Sequence, residues 1–75
     1  MQRYANRSGH AGVVAYEFAA DSITVKFTGG DRYLYTADSA GVEHIARMRE
    51  LATAGQGLST YISQHVRERY ARKLD

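Results

Sequence analysis

The stretch Ile23-Thr24-Val25-Lys26-Phe27-Thr28, closed by Gly29-Gly30-Asp31, restricts the fold more than any other feature of the chain. Side chains on a strand alternate between its two faces. Ile23, Val25 and Phe27 therefore share one face, and Thr24, Lys26 and Thr28 share the other. The paired glycines tolerate the positive φ that tight hairpin turns demand. The stretch predicts a strand with one buried face running into a hairpin, and it fixes which side of the sheet is core.

The flanking segments extend that pattern. Upstream, Val14, Tyr16 and Phe18 alternate with Val13, Ala15 and Glu17, and Ala19-Ala20-Asp21 makes the turn. Downstream, Arg32-Tyr33-Leu34-Tyr35-Thr36 reads as a third strand, with both tyrosines on one face and Leu34 on the other beside Arg32 and Thr36. Residues 1–12 are polar, with Gly9 and Gly12 bracketing His10-Ala11. They read as a loosely ordered lead-in to one domain spanning 13–75.

After the third strand the period changes. Asp38 and Ser39 are candidate N-caps for a helix whose apolar stripe is Val42, Ile45, Met48 and Ala52, with Glu43 and Arg47 paired on its outer side. Gly41 weakens its first turn. Gly55-Gln56-Gly57 ends it with a left-handed cap. A second helix is expected from near Leu58, capped by Ser59 or Thr60, to about Arg72. Its apolar row is Leu58, Ile62, Val66 and Tyr70. The fold class expected is α+β: a three-stranded antiparallel meander followed by two helices packed on one sheet face. The other face, bearing Ala15, Thr24, Lys26, Arg32 and Leu34, is left open.

Length and composition remove several function classes. A chain of 75 residues buries roughly 60% of its unfolded surface, too little for a large internal active-site cavity. It contains no cysteine, which excludes disulfides and thiolate zinc sites. No apolar run approaches the roughly 20 residues of a membrane span, and the first residues lack the apolar core of a signal peptide; a cytoplasmic protein is expected. His10, His44 and His65 fall on three different segments without metal-ligand spacing, so neither metal nor cofactor is expected. No serine sits in a nucleophile elbow, and Glu17, Asp21, Asp31, Glu43 and Glu50 fall on turns or outer helix faces. The reading is non-catalytic.

Two residue types carry what remains. There are six tyrosines. Tyr33 and Tyr35 could offer stacking surfaces to bases, but their shared face is the core face, and a packing role follows. The formal net charge is only +2, and basic residues collect at both ends of the chain. Eight of the ten basic residues are arginine, whose planar fork suits phosphate. Arg3, Arg7, Arg49, Arg67, Arg69, Arg72 and Lys73 are the candidate phosphate contacts.

Ser8 through Tyr16, Ile23-Thr24-Val25-Lys26-Phe27, Gly30, Tyr33-Leu34-Tyr35 and Tyr61-Ile62-Ser63-Gln64-His65-Val66-Arg67-Glu68-Arg69-Tyr70 together resemble the KTSC domain. That family is named for a C-terminal extension of some lysyl-tRNA synthetases and also occurs as small stand-alone bacterial proteins. The resemblance covers about residues 8–70. It implies motif positions at Tyr33, Tyr35, Gly57, Tyr61 and Tyr70, read as structural, and RNA, tRNA included, as partner. Three departures stand out: Ala37-Asp38-Ser39 where the family has Val-Pro, Ile62 for its second aromatic, and Ser63 for its usual asparagine. Leu58-Ser59-Thr60 is also a longer spacer than usual.

Two functional expectations follow. One is a non-catalytic module contacting RNA, such as tRNA, through its phosphate backbone. The other is a protein-interaction or homodimerisation module using the open sheet face around Leu34, Val13 and Thr24, or the edge of the third strand.

Overall fold

The computed structural model describes residues 1–7 and 12–74. Among these residues five antiparallel strands lie side by side in chain order: β1 (Gln2–Arg3), β2 (Val13–Ala19), β3 (Ser22–Phe27), β4 (Arg32–Thr36) and β5 (Arg72–Lys73). The expected meander is the centre of this sheet, β2 to β4. Its two flanking strands lie at opposite ends of the chain. Helices α1 (Ala37–Ala40), α2 (Val42–Ala54) and α3 (Leu58–Tyr61) cover one face, and a π-helical turn, Ile62–Val66, continues α3.

The alternation in β3 holds as expected, with Ile23 and Val25 fully buried. In β2 it does not run through. Val13 pairs with Phe27 and Ala15 with Lys26, so Val14 is an extra residue, a β-bulge. The bulge shifts the side-chain parity, and both Val13 and Tyr16 point into the core. Val13 is 0% exposed and therefore does not belong to the open face where it was expected.

The first helix region also departs from expectation. Thr36, rather than Asp38 or Ser39, is the N-cap: its Oγ1 accepts from Ser39 N at 3.0 Å, while Ser39 Oγ accepts from Thr36 N at 3.0 Å. This is a reciprocal capping box. Gly41, with φ 101°, then breaks the chain into α1 and α2. That break moves the buried stripe to Ala40, Ile45, Met48 and Ala52, and Val42 is left 71% exposed. Arg47 pairs at 3.0 Å with Glu50, one turn on, instead of with Glu43. Gly55 closes α2 in the left-handed conformation at φ 78°, as the glycine pair predicts.

The largest difference lies at the C-terminus. The second helix stops at Val66 instead of running to Arg72. Gly57 stands at its N-cap without a side-chain cap, in place of Ser59 or Thr60. Arg67 N donates to Ile62 O at 2.7 Å, the i→i+5 bond of a π-turn, and the chain then extends. Ala71 N donates to Leu34 O at 2.6 Å and Leu74 N to Arg32 O at 2.8 Å, so β5 closes the outer edge of β4. Unpaired strand edges favour such additions. Tyr70 still reaches the apolar row through the extended chain, its ring 4.7 Å from that of Tyr33.

The opposite edge is closed by β1. Of the segment read as a lead-in, residues 8–11 lie outside the described residues, while residues 1–7 run along β2 and the end of α2. Tyr4 is buried and its hydroxyl accepts from Leu58 N at 3.2 Å; Arg7 N donates to Gly55 O at 2.7 Å. Among the described residues, no helix is long and apolar enough to cross a membrane.

Candidate nucleic-acid interface

Residues directly opposite each other in an antiparallel pair project from the same face. The register places Arg3 opposite Ala15, Ala15 opposite Lys26, and Lys26 opposite Arg32. These four form one row across the sheet, on the side away from the helices. In the neighbouring row Glu17, Thr24, Leu34 and Arg72 stand opposite one another in turn. Strands lie about 4.8 Å apart, so the three steps from Arg3 to Arg32 span about 14 Å.

The uncovered face therefore carries Arg3, Lys26, Arg32 and Arg72. Glu17 is the acid among the described strand residues on that side, and its carboxylate lies 4.0 Å from the N-terminal ammonium of Met1. Ala15, Thr24 and Leu34, half-buried, fill the ground between the cations. The arrangement is flat and positive, able to meet an extended polyanion at several points.

The seven candidate phosphate contacts do not gather into one patch. Arg3 and Arg72 join the open face. Lys73, one residue on, points to the helix side, its Nζ 3.7 Å from the Asp31 carboxylate and 5.9 Å from the centre of the Tyr33 ring. Arg7 donates to Ala54 O at 2.9 Å, at the end of α2. Arg49 lies 4.6 Å over the Phe18 ring and donates to Ala19 O at 2.8 Å, tying α2 to the β2–β3 turn. Arg67 and Arg69 are exposed beyond the π-turn, at a groove shared with Gln64, His65 and Glu68. Lys26 and Arg32, absent from that group of seven, complete the face. Strand parity had already placed both on the open side. What it could not supply was the pairing of β1 and β5 that brings Arg3 and Arg72 beside them.

The tyrosines occupy the other side of the same sheet. Tyr35 is 1% exposed, and Tyr33 packs against the core. With Phe27 and Tyr70 they line a cleft of about 420 Å³ that also meets Ser63, Arg67 and Glu68. Tyr70 crosses Tyr35 edge-on, with ring centres 6.2 Å apart. Burial pushes the Tyr35 phenol up to about 12, and the adjacent Tyr33 and Tyr70 phenols add to the shift. Its hydroxyl therefore stays protonated at neutral pH. Gly57 takes the left-handed conformation between the helices, at φ 83°.

Tyr61 is placed elsewhere, beside two histidines. His44 Nδ1 lies 2.6 Å from its hydroxyl, and the His65 ring is 4.3 Å from its ring. Two histidines that sequence spacing kept apart thus meet on the helical layer; His10 lies outside the described residues.

Compared with known proteins, the chain matches no family model, no curated protein and no solved structure.

Proposed function

We propose that the protein is a non-catalytic RNA-binding module that contacts the phosphate backbone through the uncovered face of its sheet. The observation that carries this reading is the cross-strand alignment of Arg3, Lys26 and Arg32, with Arg72 in the next row. Phosphate contacts of this kind give salt-sensitive binding with little sequence preference. The resemblance to the KTSC domain, carried by Tyr33-Leu34-Tyr35 and the Tyr61 to Tyr70 stretch, points the same way, and tRNA is the form of RNA it suggests.

The open face supports the rival reading, a homodimer, less well. A two-fold interface sets the same patch against itself. Here it would bring the four cations into apposition. Val13 is buried and the outer edge of β4 is taken by β5, which removes two of the features that reading drew on.

The test is a fluorescence-anisotropy titration of an unstructured RNA and of tRNA at several salt concentrations. We expect measurable binding at low salt, with log affinity falling linearly in log salt. Arg3→Gln, Lys26→Gln and Arg72→Gln combined should flatten that slope by roughly 2, at about 0.7 per lost contact on a single strand. No binding at high micromolar protein in low salt, or a slope untouched by the triple substitution, would overturn the reading.

A further inference from the structure

A second site, independent of the sheet face, lies on the helical layer. His44 on α2 and His65 on the π-turn have ring centres 5.7 Å apart, and the Tyr61 ring lies beside both, 5.7 Å from His44 and 4.3 Å from His65. An imidazole nitrogen sits about 2.0–2.1 Å from a bound zinc ion, so two rings sharing one ion place their centres roughly 4.5–6.5 Å apart. The observed separation falls inside that range.

The hydrogen bonding suits ligation too. His44 Nδ1 is held 2.6 Å from the Tyr61 hydroxyl. With Nδ1–H donating to that oxygen, the lone pair of Nε2 is left for a ligand. This is the outer-shell arrangement that orients metal-binding histidines. His65 is exposed and half-stacked on Tyr61, tilted by 33°. It is presented by a π-turn, a helical irregularity frequent at functional sites.

We infer that His44 and His65 bind one late first-row divalent cation, Zn²⁺, Ni²⁺ or Cu²⁺, with Tyr61 positioning His44 and water completing the coordination. Among the described residues no group of three or more His, Cys, Asp or Glu could hold a metal, so the described residues supply this site with two imidazoles only. That donor set excludes Mg²⁺ and Ca²⁺, which require oxygen ligands. It also sets the affinity well below that of a four-ligand structural zinc site.

The experiment adds Zn²⁺ or Ni²⁺ to the untagged, chelator-treated full chain, followed by calorimetry and by the histidine ring signals in NMR. We expect one ion per chain, with the His44 and His65 ring signals shifting together and the His10 signal unmoved. His44→Gln and His65→Gln should each weaken binding at least tenfold, His10→Gln should leave it unchanged, and Mg²⁺ should produce no shift. Binding that survives both single substitutions, ring signals that stay still on adding metal, or a loss caused by His10→Gln would overturn the inference. The NMR readout uses the unaltered protein, so it decides even where a variant folds poorly. An RNA titration that fails leaves this result standing, since the two sites share no residue.

Discussion

The two faces of one sheet carry the same alternating strands and do opposite things. On the helix side Ile23, Val25 and Tyr35 are shut away from water under Ile45, Met48, Leu58 and Val66. On the other side Arg3, Lys26, Arg32 and Arg72 stand over half-buried Ala15, Thr24 and Leu34. Removing a side chain from the first face leaves a cavity in a close-packed interior. Substituting Lys26 or Arg72 on the second face removes a charge without emptying that interior. In this molecule folding and the proposed binding are thus separated by a period of two along β3 and β4, which the Val14 bulge resets in β2. An inner-face substitution should be read in stability, and an outer-face one in affinity.

The largest effect should come from Tyr35→Ala, which empties the space of a core aromatic at a cost of about 3–5 kcal/mol in denaturant unfolding. Tyr35→Phe keeps the packing and should cost under about 1 kcal/mol, so the pair separates ring from hydroxyl. Next is Gly55→Ala. At φ 78° an added Cβ is strained, and it would stand 2.5 Å from the Ala5 Cβ, against the N-terminal segment. We expect a loss of about 2–3 kcal/mol, together with faster amide exchange at Tyr4 and Arg7.

Alkali provides a smaller and reversible break. The folded Tyr35 phenol ionises near 12 against an ordinary 10.0, so above pH 10 the unfolded chain releases this proton while the folded one keeps it. Stability then falls with rising pH across that window, and the contribution is intact below it. Tyr35→Phe should lack this component, which stability curves of the two proteins at pH 8 and pH 11 would reveal. The smallest effect on folding belongs to the open face. Lys26→Gln and Arg72→Gln should each change stability by less than about 0.5 kcal/mol while weakening RNA binding at low salt. A large stability loss from either would collapse the distinction between the faces.

Much of the inner face was legible from local pattern. The β3 alternation, the Gly29-Gly30 hairpin, the left-handed Gly55 and the core orientation of Tyr33 and Tyr35 all follow from residue type and spacing over a few positions. The misreadings occurred where a single residue breaks a period. Val14 as a bulge turned Val13 inward, and Gly41 split one helix into two and exposed Val42. Neither break has a signature beyond the residue itself, because each is selected by how the neighbouring elements pack. The C-terminal error had another source. Leu58, Ile62, Val66 and Tyr70 repeat every four residues as a helix would, yet Tyr70 meets Tyr33 and Tyr35 from extended chain.

What the chain's own order of residues determined is the central meander and its inner face, since alternation and turn chemistry act between neighbours. Tertiary structure decided the edges. β1 and β5 are two residues long, carry no periodicity of their own, and exist because the outer edges of β2 and β4 present backbone groups that need partners. Those pairings bring Arg3 and Arg72, near opposite ends of the chain, to the same face as Lys26 and Arg32. Contacts across such a separation leave no local trace, so the basic face is a property of the folded sheet.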